Sequence, residues 1–253
     1  MSIAEKLTTI AENEEKVFKA GEKAEYDRFW DIWQENGNRT NYMYGFAGWK
    51  QDVFLPKYPI TLSGEASWCF LNSNLTDFKK HCEEHNVVID TKNLTIASRF
   101  FSNCYTLTSF PDFDFSNCES ISYFFNNCYA LVEVGTIGNE NIKNCEHLFY
   151  GCGNLKKIGM VYSNENTLWD RTSFYCGKLE DVRISGVIGA SDISLQWSTK
   201  LSKESITSFI NALSLTATGK SITFSKTAKQ NAFTDTEWAS LIATKPNWTI
   251  SLA

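Results

Sequence analysis

Phe149-Tyr150-Gly151-Cys152-Gly153-Asn154-Leu155-Lys156-Lys157-Ile158 is the stretch on which the fold turns, because its apolar skeleton recurs every 24 residues on either side. Cys104, Cys128, Cys152 and Cys176 keep that step, and so do Leu107, Leu131, Leu155 and Leu179. Phe110, Val134, Ile158 and Val182 follow three residues later, and Phe101, Phe125 and Phe149 precede, with Phe174 one residue late. A second track, Leu94, Cys118 and Ile142 with Ala97, Ile121 and Cys145, has the same period. A fixed period of this length means stacked structural units that bury one another's apolar faces. Alternating apolar residues, as in Val182 and Ile184 or Ile158 and Met160, suit a short strand. The spacing of Ile121, Phe124 and Phe125 suits one helical turn.

Composition agrees with a folded chain. Of 253 residues, 43% are hydrophobic, 21% charged and only 4 are proline, so the chain can bury a core and is not of disordered composition. Twenty-four basic against 29 acidic residues give a net charge of -5, which offers phosphate no attractive field, so no nucleic-acid partner is expected. No apolar run approaches the ~20 residues of a spanning helix, and membrane insertion is not expected. The start, Met1-Ser2-Ile3-Ala4-Glu5-Lys6, lacks a basic and apolar leader, which leaves localisation open.

The pattern Phe-x-x-Cys-x-x-Leu-x-x-Ile resembles the bacterial leucine-rich repeat of the BspA type, with Cys where other leucine-rich repeats carry an Asn ladder. The regular copies cover about residues 85–186. A degenerate first copy, Trp68 to Phe78, stands seven residues further off, since Phe70 to Phe101 is 31. The resemblance implies an α/β leucine-rich-repeat solenoid, with one strand plus a short helix per 24-residue coil, a helical N-terminal segment and a strand-helix C-terminal cap. The expected divisions are 1–36 for the helix, 37–90 for an N-terminal cap and first repeat, 91–186 for the repeats and 187–253 for the C-terminal cap.

Residues 2–36 read as one helix opened by a capping box of Ser2 and Glu5. Ile3, Leu7, Ile10, Glu14, Val17, Gly21 and Ala24 mark a flawed heptad seam, which would either oligomerise the chain as a coiled coil or pack on its own domain. After the repeats, a strand at Asp192–Trp197, a helix capped by Ser202, a strand at Ser221–Ser225, a helix opened by Thr234-x-x-Glu237 and a strand at Trp248–Leu252 are expected. The helix with Asn36 to Tyr42, and the ending Lys245 to Ile250, also resemble segments of phage or prophage tail-region proteins.

Eight cysteines without a C-x-x-C, four of them at one repeat position, point to small buried thiols rather than disulfides or zinc. His81-Cys82-Glu83-Glu84-His85 fits His-x-x-Glu-His, in which two histidines on one helical face hold zinc, but it falls where a solvated helix is expected. Asp112 and Asp114 are a carboxylate pair of the kind glycosidases use, and equally an ordinary pair of same-strand acids. No nucleophile elbow, Walker loop or dinucleotide fingerprint occurs. No catalytic residue, metal or cofactor is therefore assigned.

By the resemblance, the strand-face positions are Ser109, Glu133, Lys157 and Asp181, followed by Pro111, Gly135, Gly159 and Arg183. Tyr105 and Tyr129 occupy matching turn positions where exposed rings could stack on sugars or pack between coils. The resulting expectation is a non-enzymatic adhesion or binding module for a protein or surface glycan of a host cell or virion, extracellular or virion-associated. The alternatives are a structural tail-region component and, less favoured, a hydrolase.

Overall fold

The computed structural model describes Arg28, Asp31 and residues 45–50, 54–170 and 174–253. The helix and heptad seam expected over residues 2–36 therefore lie outside the described residues except at Arg28 and Asp31. Chain order is β1 (Ile60–Glu65), α1 (Phe78–Glu84), β2 (Ile89–Ile96), β3 (Glu133–Ile137), β4 (Lys157–Ser163), β5 (Asp181–Gly186), β6 (Ile193–Leu195), α2 (Lys203–Ala212), β7 (Lys220–Phe224), α3 (Lys226–Ala232), α4 (Asp235–Ile242) and β8 (Trp248–Leu252).

The expected leucine-rich-repeat solenoid, with a strand and a helix in every coil, is corrected by these elements. The chain is α/β, with three small, separate parallel sheets: β1-β2, β3-β4-β5 and β6-β7-β8. Three local features limit how far each sheet extends. Pro111 has no N–H to give a ladder, and Ser109 makes only an isolated bridge to Asp77. The far edge of β5 is closed by α2, whose Ser205 and Ser208 hydroxyls accept the Val182 and Ile184 N–H groups at 2.9 Å. Between β2 and the next segment the backbone ladder shrinks to one bridge at Ile96 and Ser120, with Glu119 N–H donating to Thr95 O, and side chains serve the rest, as where Thr91 donates to Asp114 O at 3.0 Å and Asn117 to Lys92 O at 2.9 Å.

Nor is Ile121–Phe125 a helical turn. Its N–H groups alternate between neighbours: those of Ile121, Tyr123, Phe125 and Asn127 donate to Asn144, Glu146, Leu148 and Tyr150 of the next segment, while those of Phe124, Asn126 and Cys128 close local turns. A helix would have kept every bond within the segment. Tyr123 and Asn127 hold positive φ, at 55° and 59°, and two left-handed residues four apart end any helix.

What the 24-residue period does set is register. Glu133 pairs Lys157 and Lys157 pairs Asp181, and single bridges link Ile96, Ser120, Asn144 and Leu168 in steps of 24. Inside, the phenyl rings of Phe70, Phe101, Phe125, Phe149 and Phe174 follow one another at centroid separations of 5.4, 6.0, 5.8 and 6.0 Å. All are buried, as are the four periodic cysteines beside them. The seven extra residues before Phe101 are absorbed by α1, whose N-cap Asp77 accepts from Lys80 N–H. The turn backbones beside α1 stay aligned, with Asn72 N–H donating to Ser102 O.

In the C-terminal part, α2 and α4 begin at Ser202 and Thr234, the latter with a full capping box to Glu237. The sequence pattern passed over α3, a short helix with N-cap Ser225 and little apolar periodicity. The segment Lys245–Trp248 ties down the end of α2. Lys245 Nζ donates to the carbonyls of Asn211 and Leu213, Asn247 to Ser214 O at 3.0 Å, and Trp248 Nε1 to the same oxygen at 2.9 Å. The Asn211 and Leu213 carbonyls would otherwise be orphans of the helix end.

Candidate functional site

The residues singled out in the sequence separate onto two surfaces. On the sheet surface, Glu133, Lys157 and Asp181 begin β3, β4 and β5 in exposed register, and Arg183 lies two residues along β5. Lys157 Nζ stands 3.1 Å from Glu133 Oε1, so part of the row is neutralised within itself. Ser109 is not brought into it. Its hydroxyl donates to the carboxylate of Asp77, a contact that, with the Lys80 N–H, holds that carboxyl below its ordinary value against the opposing effect of burial. Ser109 is thus a buttress for the N-cap of α1.

On the turn edge, Tyr105 and Tyr129 are 52% and 48% exposed, and their rings stack at 5.4 Å and 15°. They pack on each other yet remain open to solvent. A second pair that sequence reasoning missed, Tyr150 and Tyr175, stacks at 5.4 Å and 24°, and Trp197 meets Tyr175 edge-on at 5.4 Å while itself 52% exposed. Beside these runs a third row. The Arg99 guanidinium lies 3.8 Å from the centroid of Tyr123, the Tyr123 and His147 rings stack at 4.3 Å and 5°, and His147 Nδ1 is 2.5 Å from Asp170 Oδ2. Arg99, Tyr123 and His147 share positive φ, which bulky residues rarely adopt. The N–H groups of Arg99 and Tyr123 donate to Ser122 O and Glu146 O of the next segment, bonds that help hold this geometry. These columns were hidden because identity changes at each step, from Arg to Tyr to His, and because Tyr150 and Tyr175 are 25 apart.

Between the two tyrosine pairs lies an open cleft of about 580 Å³, lined by Tyr129, Tyr150 and Tyr175 over Gly151 and Gly153, with Asn127 and Lys178 at its rim. Asn127 belongs to an amide ladder: Asn103 donates to Asn72 Oδ1 at 3.1 Å, and Asn127 to Asn103 Oδ1 at 3.0 Å.

The other candidates are occupied structurally. His81 is buried with Nε2 2.8 Å from Phe54 O, on a helix packed into the core, while His85 is exposed. Asp112 pairs with Lys79 at 2.7 Å. Asp114 accepts the Ser116 N–H at 2.8 Å, which lowers its carboxyl's pKa, the opposite of what a glycosidic acid requires. The periodic thiols each reach a phenylalanine carbonyl: Cys104 to Phe70, Cys128 to Phe101, Cys152 to Phe125 and Cys176 to Phe149, at 3.0 to 3.2 Å. Burial pushes the Cys104 and Cys152 thiols up to about 12 and holds those of Cys128 and Cys176 well above the ordinary thiol range, so all four are held as thiols. Among the described residues, no three His, Cys, Asp or Glu side chains are grouped to hold a metal ion, and no helix is long and apolar enough to cross a membrane.

Compared with family models, curated proteins and solved structures, the chain finds no match in any of the three. The likeness to BspA-type repeats thus rests on the repeat residues alone.

Proposed function

We propose that this protein is a non-enzymatic recognition module that engages a protein or cell-surface partner through its turn edge. The observation that carries this is the exposure of Tyr105, Tyr129, Tyr175 and Trp197 along one edge. A solvated aromatic patch is costly in a chain with no use for it, and aromatic side chains are enriched where surfaces bind partners. The row Glu133, Lys157 and Asp181 offers a second contact of mixed charge, weaker because Glu133 and Lys157 already satisfy each other. The likeness of the Phe-x-x-Cys-x-x-Leu units to bacterial adhesion repeats supports the same reading. If residues 2–36 assemble several copies, weak edges act together and apparent affinity rises by ~10²–10⁴.

The test is binding of the labelled full-length chain to intact bacterial and animal cells, followed by flow cytometry. Saturable binding to one class of cell, displaced by unlabelled chain, is the expected result. Binding that never saturates, or none to any cell, contradicts the proposal.

A further inference from the structure

We infer that the cleft between Tyr129 and the Tyr150–Tyr175 pair is a saccharide site that receives a pyranose ring, preferentially one bearing a carboxylate. The inference rests on the recognition reading above and names the ligand class of that edge. Two columns of the turn edge break off at this same level. Tyr105 and Tyr129 stack, but the next position, 24 residues on, is Gly153, and a Cβ built there meets nothing within 4 Å. One face of Tyr129 is therefore covered by Tyr105, and where a third ring would follow there is open space.

The amide ladder breaks off beside it. Asn72, Asn103 and Asn127 pass hydrogen bonds along the column, and the next position is Gly151, at φ 75°. A Cβ at Gly151 would lie 2.4 Å from Asn127 Oδ1, so that oxygen occupies the space above the glycine, and no described residue donates to it. The cleft thus presents one uncovered aromatic face, one open amide acceptor two residues away, and the stacked pair Tyr150–Tyr175 as a further wall.

Lys178 completes the set. Its ammonium gives one hydrogen bond to Asn154 Oδ1 at 2.6 Å, which leaves two of its three donors, and it is the one charged side chain lining the cleft among the described residues. An apolar C–H face for the ring, a hydroxyl donor for Asn127 and an anionic group for Lys178 describe an acidic pyranose. A proline-rich peptide would also stack on tyrosine, but its proline residues carry no N–H to give Asn127.

Short soluble oligomers of galacturonate, N-acetylglucosamine and glucose, titrated into the full-length chain by calorimetry, test this. Expected is saturable binding with galacturonate tightest, weakened about tenfold or more in Tyr129→Ala, where the stacking face is lost. Gly153→Tyr is the second variant. It adds a ring into open space without a strained φ, extends the Tyr105–Tyr129 stack, and should abolish binding while leaving the denaturation midpoint unchanged. Failure of all three sugars to bind, binding unaffected by Gly153→Tyr, or capture of a proline-rich peptide through the same residues overturns the inference. If the sugars fail while cells still bind saturably, the recognition reading stands and the ligand class alone is wrong. If both fail, the recognition reading falls as well.

Discussion

The sheet surface and the turn edge are built on the same 24-residue register, yet they differ in what they leave unsatisfied. On the sheet, register places Glu133 beside Lys157 and Lys157 beside Asp181, so unlike charges meet across strands. On the turn edge it places tyrosine on tyrosine and asparagine on asparagine until two glycines interrupt both columns. A periodic scaffold makes a uniform surface by default, and a site arises where the period is broken. The sheet row is partly neutralised within itself, whereas the edge ends in groups that want partners.

The severest way to break the comparison is to remove the core both surfaces share. The Phe125 ring lies between those of Phe101 and Phe149 and also touches Phe110 on the strand side at 4.9 Å. Phe125→Ala is expected to cost about 3–5 kcal/mol in urea unfolding, with both surfaces lost in one transition. Two separated transitions would show that the surfaces are supported independently.

A smaller effect separates Ser109 from the row in which the sequence placed it. The carboxyl of Asp77 is held low by the Ser109 hydroxyl and the Lys80 N–H. Its folded-state pKa lies below the ordinary 3.8, so its contribution to stability is full above that value and is lost as pH falls through the folded-state pKa. Asp77→Asn keeps a capping side chain but removes the charge, and should flatten the acid limb of the stability curve. Asp77→Ala should in addition cost about 1 kcal/mol at neutral pH. An unchanged acid limb in Asp77→Asn would return Ser109 to the solvated face.

The smallest effect is expected from exchanging Glu133→Lys with Lys157→Glu. Both side chains are more than half exposed, so stability should move by no more than about 0.5 kcal/mol in denaturant titrations. A larger loss would mean that the pair supports the sheet.

How much of this was legible beforehand follows from the kind of residue involved. The core columns were readable because burial forces similar residues to repeat, as Cys104, Cys128, Cys152 and Cys176 do. Sheet continuity was not readable, because it is decided by single groups: the missing N–H of Pro111 and the serine hydroxyls that close β5. The helical reading of Ile121–Phe125 failed because apolar spacing is blind to the left-handed backbone at Tyr123 and Asn127. Tyr105 and Tyr129 were found as a matching pair. The cleft beside them was not, since it is defined by Gly151 and Gly153, where the side chain that would have signalled a repeat is absent.

The central claim is that recognition rests chiefly on the turn edge and only weakly on the sheet. It is tested most directly by cell binding of three full-length proteins side by side: the unaltered chain, Tyr129→Ala with Tyr175→Ala, and Glu133→Lys with Lys157→Glu, each first shown to unfold at the same denaturant midpoint. Loss of binding in the tyrosine variant alone is the predicted result. Loss in the charge-exchanged variant with the tyrosine variant unaffected would contradict it and move the site to the sheet.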